Sequence, residues 1–183
     1  VLKEPQFDTY ACTGAISAAG LYDYISGSQH VFMEIYKVTE LQYGWIFAGV
    51  ALGLITCSQL NSFLLRKYKS EQIIRGALFC QTLTGLVLVT GTAFHILGLY
   101  STIFLILVFL SCQGFVFPNS SALSMAPFSR NAGTASALMG AIQLAVGALT
   151  SGLVSILTND TALPMAGVMA LCALSSFCVL LLG

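Results

Sequence analysis

One acid stands well inside an apolar run. Asp23 lies in Gly20-Leu-Tyr22-Asp23-Tyr24-Ile-Ser26-Gly27-Ser28-Gln29-His30, and His30, seven residues on, falls two turns along the same helical face. An acid and an imidazole at that spacing can pass a proton or contact a cationic ligand. An acid facing a water-filled cavity, with the histidine at the interface, would leave the same trace. The amides Gln59, Asn61, Gln81, Gln113, Asn119 and Gln143 form a second polar set. Each would leave donors and acceptors unpaired in lipid, so they are expected to face other helices or a cavity. Gln113 and Gln143 suit a cavity wall or an interhelical bond equally, whereas Gln59 and Asn61 suit a structural role near Arg66. There is no GxSxG, HExxH or GxxxxGK[ST], and no second intramembrane Asp to pair with Asp23, so hydrolase chemistry is not indicated and the chain is not expected to be an enzyme.

These groups need helices to position them, and the composition says in what solvent. The 183 residues are 57% hydrophobic and 8% charged, against about 25% charged in a soluble domain. The chain therefore reads as an all-α integral membrane protein. Its formal net charge of zero lacks the cationic excess that a phosphate-binding surface requires, which excludes nucleic acid as a partner. The 6 cysteines are scattered singly without a CxxC, so they read as small apolar residues, with no metal site and no disulfide framework. The start, Val1-Leu-Lys3-Glu-Pro-Gln-Phe7, shows no initiator Met and no signal-peptide pattern, and the chain is expected to be a portion of something longer.

A helix crosses the hydrocarbon core in about 20 predominantly apolar residues. Six such runs are found: Phe7–Phe32, Leu41–Leu65, Gln72–Phe94, Leu99–Met125, Asn131–Leu157 and Leu163–Leu182. If they alternate in direction, Lys3, Arg66, Lys67, Lys69, Arg75 and Arg130 fall on the side of the N-terminus, and Lys37 alone on the other. That bias predicts a multi-pass protein of the bilayer with both ends in the cytoplasm. The short loops require all six helices to pack as one unit. Ala137, Ala141, Ala145, Ala148 and Gly152 are expected to give one close-packing surface, and Gly49 and Gly53 another. Pro118 removes the usual partner of the Gly114 carbonyl, and Asn119, Ser120 and Ser121 are placed to re-satisfy the backbone.

Several stretches carry a family likeness. Phe117-Pro-Asn-Ser-Ser-Ala-Leu-Ser-Met-Ala-Pro-Phe128, then Ala132-Gly-Thr-Ala-Ser-Ala-Leu-Met-Gly140 and Gln143, resembles the tenth and eleventh helix region of bicyclomycin/chloramphenicol-type drug:proton antiporters of the major facilitator superfamily. Tyr24-Ile-Ser-Gly-Ser28 with Val31-Phe32 is similar to their seventh helix. Tyr43-Gly-Trp-Ile-Phe47, with Gln59-Leu-Asn61 and Leu64-Leu-Arg-Lys67, is similar to the eighth and the basic loop after it. The chain departs from the pattern at Gln29 and His30, where the family has a proline and an aromatic, and at Asp23.

The resemblance covers nearly the whole chain and implies the C-terminal half of a twelve-helix transporter, built of two three-helix inverted repeats. It implies secondary active transport: export of amphiphilic small molecules against protons, with no cofactor beyond the proton gradient, in the bacterial inner membrane. The partner would be an N-terminal six-helix half that holds the principal proton-carrying acid. On that reading Tyr22, Asp23, Gln113, Phe117 and Gln143 are the expected substrate and proton pathway residues of this half. A truncated, non-transporting six-helix protein or scaffold is the alternative.

Overall fold

The structure, a computed structural model, describes residues 4–128, 131–157 and 161–183. Lys3 and Arg130, named above, lie outside the described residues. The helices are α1 (Pro5–Gln29), α2 (Glu40–Leu64), α3 (Ser70–Ala93), α4 (Leu99–Met125), α5 (Ala132–Leu157) and α6 (Leu163–Leu182), with no strand among the described residues. Pro5 and Pro164 open α1 and α6 in the first turn, where a missing N–H leaves nothing unpaired. Thr39 caps α2: Gln42 N–H donates to Thr39 Oγ1 (3.3 Å), and Thr39 N–H donates back to Gln42 Oε1 (2.9 Å). The first helix outruns its sequence boundary, continuing past Gln29 as a wider π-helical segment, His30–Ile35.

α2 to α6 are long and apolar enough to cross a membrane, and α1 falls short of the same hydropathy. Its position explains the difference. α1 packs extensively against α4, α5 and α6, so its Thr13, Ser17, Asp23 and Ser28 are buried against protein. At 25 residues it is about 37 Å long, enough for a core of about 30 Å.

The extensive contacts are α1 with α4, α5 and α6, α4 with α2 and α3, and α3 with α6. Exchanging α1, α2, α3 for α4, α5, α6 leaves this set unchanged. Helix directions can be read from the residues that meet. Gly14 and Gly20 of α1 approach Ser120 and Phe109 of α4, so numbering runs in opposite senses and the two helices are antiparallel. Gly53 and Gly114 place α2 parallel to α4, with Gly53 at Leu107 and Gly114 at Leu54 and Ser58. Ala11 clusters with Ala135 and Met139, and Gly147 meets Tyr22, which makes α1 parallel to α5. A pairing that exchanges two antiparallel helices has its axis in the plane of the membrane, and the two triplets are inverted repeats.

The largest apolar cluster, around Tyr24, Phe32, Ile106, Phe109, Met165 and Met169, lies at the end of the bundle near the α1–α2 turn. Arg66, Lys67, Lys69 and Arg75 are exposed at the opposite end, about the α2–α3 turn. One expectation is not met within this unit. Ala137, Ala141, Ala145, Ala148 and Gly152 face outward, and the buried ridge of α5 is Ala135, Met139, Gln143 and Gly147 with Val154. Both rows repeat every fourth residue, so the period alone could not choose between them. Gly49 is likewise open, whereas Gly53 packs on α4.

Gly114 sets the tightest approach of α2 to α4. A methyl group there would stand 2.5 Å from the Leu54 carbonyl oxygen and 2.9 Å from the Ser58 nitrogen, both backbone atoms that cannot rotate away. Gly114→Ala is expected to destabilise the bundle by about 1–3 kcal/mol, read as a lowered midpoint of thermal unfolding in detergent. Gly49→Ala, in open space, should leave the midpoint where it is.

Candidate functional site

Polar side chains gather where α1, α3 and α4 meet. Ser17, Gln81 and Gln113 are all buried. Ser17 Oγ lies within hydrogen-bonding reach of Oε1 of both Gln81 (2.9 Å) and Gln113, and with one proton it donates to one of them at a time. Gln81 Nε2 reaches Gln113 Oε1 at 3.4 Å, a long contact. The Gln113 amide is thus held by its oxygen, and its Nε2 has no protein partner among the described residues.

Nearer the basic end, Asn119 Nδ2 donates to Asn61 Oδ1 (2.6 Å) and to the Phe115 carbonyl (2.7 Å). Ser120 Oγ donates to the Phe117 carbonyl (3.1 Å). Asn119 and Ser120 thus bond the carbonyls of Phe115 and Phe117 beside Pro118, which sits inside α4, whereas Ser121 Oγ has no protein partner among the described residues.

Between α1, α2, α4 and α5 lies a cavity of about 280 Å³. α1 presents Leu21 and Tyr22, and α4 presents Gln113, Phe117 and Pro118. Leu54 and Ser58 of α2 and Gln143 of α5 complete the polar and apolar walls. Leu21, Leu54, Gln113 and Gln143 each stand close to the middle of their helices, so the cavity is at mid-depth. The four helices that line it are the set the inverted repeat preserves.

Gln143 is 8% exposed and its Nε2, like that of Gln113, has no protein partner among the described residues. Both glutamines belong to the cavity wall together with Tyr22 and Ser58, each with its Nε2 buried beneath the surface, and no carboxylate or cation among the described residues lines it. The Tyr22 ring rests on Gly147, where a methyl group would come within 2.5 Å of its Cδ2, so the absent side chain at 147 decides how far the ring enters the cavity.

The structure brings Tyr22, Gln113, Phe117 and Gln143 together and separates Asp23 from them. Asp23 is fully buried on the side of α1 turned to α6, near Cys172. His30 pairs with Glu34 (Nδ1 to Oε2, 2.8 Å) in the π-helical segment and not with Asp23. Heptad spacing puts the two on one face, but seven residues are about 10 Å of helical rise, too far for the side chains to meet, and Glu34 lies within reach instead. Leu21, Leu54 and Ser58 carried no sign in the sequence that marks them as cavity residues. Ser17 and Gln81, which hold Gln113, had only the signal of polarity within apolar runs.

No family model matches the chain. Among curated proteins, it is 30% identical over 174 residues to the bicyclomycin resistance protein homolog of Haemophilus influenzae, covering 95% of this chain and 44% of that protein. It is 29% identical over 174 residues to the uncharacterized MFS-type transporter YdgK of Bacillus subtilis, covering 92% of this chain and 42% of that one. The chain spans less than half the length of these curated relatives. With an inverted pair of three-helix repeats and a mid-depth cavity already evident, the similarity has a structural basis: the chain fits the C-terminal half of a major facilitator superfamily transporter of the bicyclomycin-resistance type.

Proposed function

We propose that this unit, joined to six further helices, is the C-terminal half of a proton-coupled exporter of amphiphilic small molecules in the bacterial inner membrane. The observation that carries the reading is the mid-depth cavity with Gln113 and Gln143 in its wall. A site at that depth, between inverted repeats, is where a rocking transporter holds its substrate between the two access states. The exposed Arg66, Lys67, Lys69 and Arg75 support a cytoplasmic α2–α3 turn, and Lys3 and Arg130 of the sequence carry the same sign. The outward faces of α2 and α5, including Trp45, Leu52 and Ile55 and the row Ala137, Ala141 and Ala145, are the surfaces offered to the other half.

Within the cavity Phe117 and Tyr22 supply aromatic faces for the apolar part of a substrate, and the two amides orient its acceptor groups. Transport needs no covalent step, which agrees with a wall built mainly of amides, aromatic rings and aliphatic side chains. Bicyclomycin, named for the Haemophilus relative, is the first substrate to test.

In proteoliposomes of the full-length protein, Gln113→Ala and Gln143→Ala should each raise the KM for bicyclomycin about 3- to 10-fold, as expected for one hydrogen bond. Gly147→Ala should act in the same direction by driving the Tyr22 ring into the cavity. Kinetics unchanged in all three variants would remove the cavity as the substrate site.

A further inference from the structure

The side of α1 turned away from the cavity holds an acid with no protein partner among the described residues. Both carboxylate oxygens of Asp23 are buried and unbonded there, and the residue is 0% exposed. The helices packed against α1 bring nothing to neutralise it. Among described residues α5 has no titratable side chain, α4 has Tyr100 and Cys112, and α6 has Cys172 and Cys178. Of these, Cys172 is the one that faces Asp23. On α1 itself the neighbours are Tyr22 and Tyr24, and the nearest basic group, His30, is engaged with Glu34. An ionised carboxylate at this place would lack water, a counter-charge and a hydrogen-bond donor at once, so the neutral acid is the form that the packing accommodates.

A second cavity, of about 130 Å³, lies between α1, α5 and α6 and is bordered by Ser26, Gly27, His30, Ser155 and Met165. Ser26 and Gly27 are three and four residues beyond Asp23, on the adjoining turn of the same helical face. Met165 of α6 stands against Gly27 at the cavity wall, a flexible side chain on the turn adjoining the acid.

We propose that Asp23 is a proton-carrying group of this half, loaded from the outer side through the cavity at Ser26, Gly27 and His30 and kept apart from the substrate cavity by α1 itself. The step balances simply. When the outer path is open, the carboxylate takes one proton from outer water and an O–H bond forms. The neutral acid is then buried as seen here, and after the change of access the proton leaves to cytoplasmic water and the carboxylate is restored. This inference rests on the export reading above, but one of its tests does not.

The independent test is infrared difference spectroscopy of the full-length protein between acidic and alkaline buffer. The protonated-carboxyl C=O band lost on alkalinisation should be missing from Asp23→Asn and retained, shifted, in Asp23→Glu. A band unchanged in Asp23→Asn overturns the proposal. The transport test uses radiolabelled bicyclomycin in proteoliposomes. Asp23→Asn, a neutral isostere that suits the same packing, should keep exchange of internal for external bicyclomycin and lose accumulation driven by a pH gradient about tenfold, with Asp23→Glu restoring it. Gradient-driven accumulation equal to wild type in Asp23→Asn overturns the proton role and leaves the export reading standing. A wild-type protein that accumulates nothing under the gradient overturns the export reading, and the infrared band then decides Asp23 alone.

Discussion

In hydrocarbon a polar side chain has no solvent to fall back on, so each must find protein or a cavity. That constraint organises the bundle around α1 and α4. Their buried polar groups meet at Ser17 and Gln113, and α3 adds Gln81 from behind. Asn119 of α4 meets Asn61 of α2 in the same manner. Where the groups are satisfied, helices are fixed in register. Gln113 and Gln143, each with an amide nitrogen left without a protein partner among the described residues, stand in the cavity wall. The cavity is thus the place where interhelical bonding stops.

The inverted repeat sharpens this division of labour. α3 and α6 touch each other and the two central helices, which closes the back of the unit. α2 and α5 lie at opposite sides, each leaning on one central helix, and both keep much of their surface exposed. Helices held on one side only can shift against a partner without disrupting the central pair. Close backbone contact at Gly114 ties α2 to α4, and the Gly147 seat ties α5 to the Tyr22 ring of α1. Movement of either outer helix is therefore transmitted to a wall of the cavity.

Much of the architecture was legible because the bilayer imposes it. Apolar run length gave the helices, and α4 and α6 run over the same residues that hydropathy outlines. Charges and prolines gave the turns. The features that were not legible depend on rotation about a helix axis. The outward row Ala137, Ala141, Ala145 and the buried row Ala135, Met139, Gln143 have the same period, and only contacts with α1 choose between them. Asp23 and Tyr22 are adjacent in sequence and so about 100° apart around the axis, which sends one to α6 and the other to the cavity. Ser17 and Gln81 are far apart in the chain, and no local pattern announces that they share a proton-donor network with Gln113.

That angular separation bears on coupling. A substrate and a proton that competed for one carboxylate would exclude each other by direct contact, and the cavity wall offers amides and aromatic rings with no carboxylate among its described residues to contest. With Tyr22 on one face of α1 and Asp23 on another, communication must pass through the position of the helix. Protonation changes what Asp23 can tolerate around it, because a neutral acid fits against α6 and an ion does not. A displacement of α1 that relieves the ion also moves Tyr22, whose ring has Gly147 directly beneath it and little room to lag behind. In the export cycle proposed above, substrate and proton would act on one rigid element from opposite sides, each biasing the other by as much as the position of α1 differs between the states it prefers.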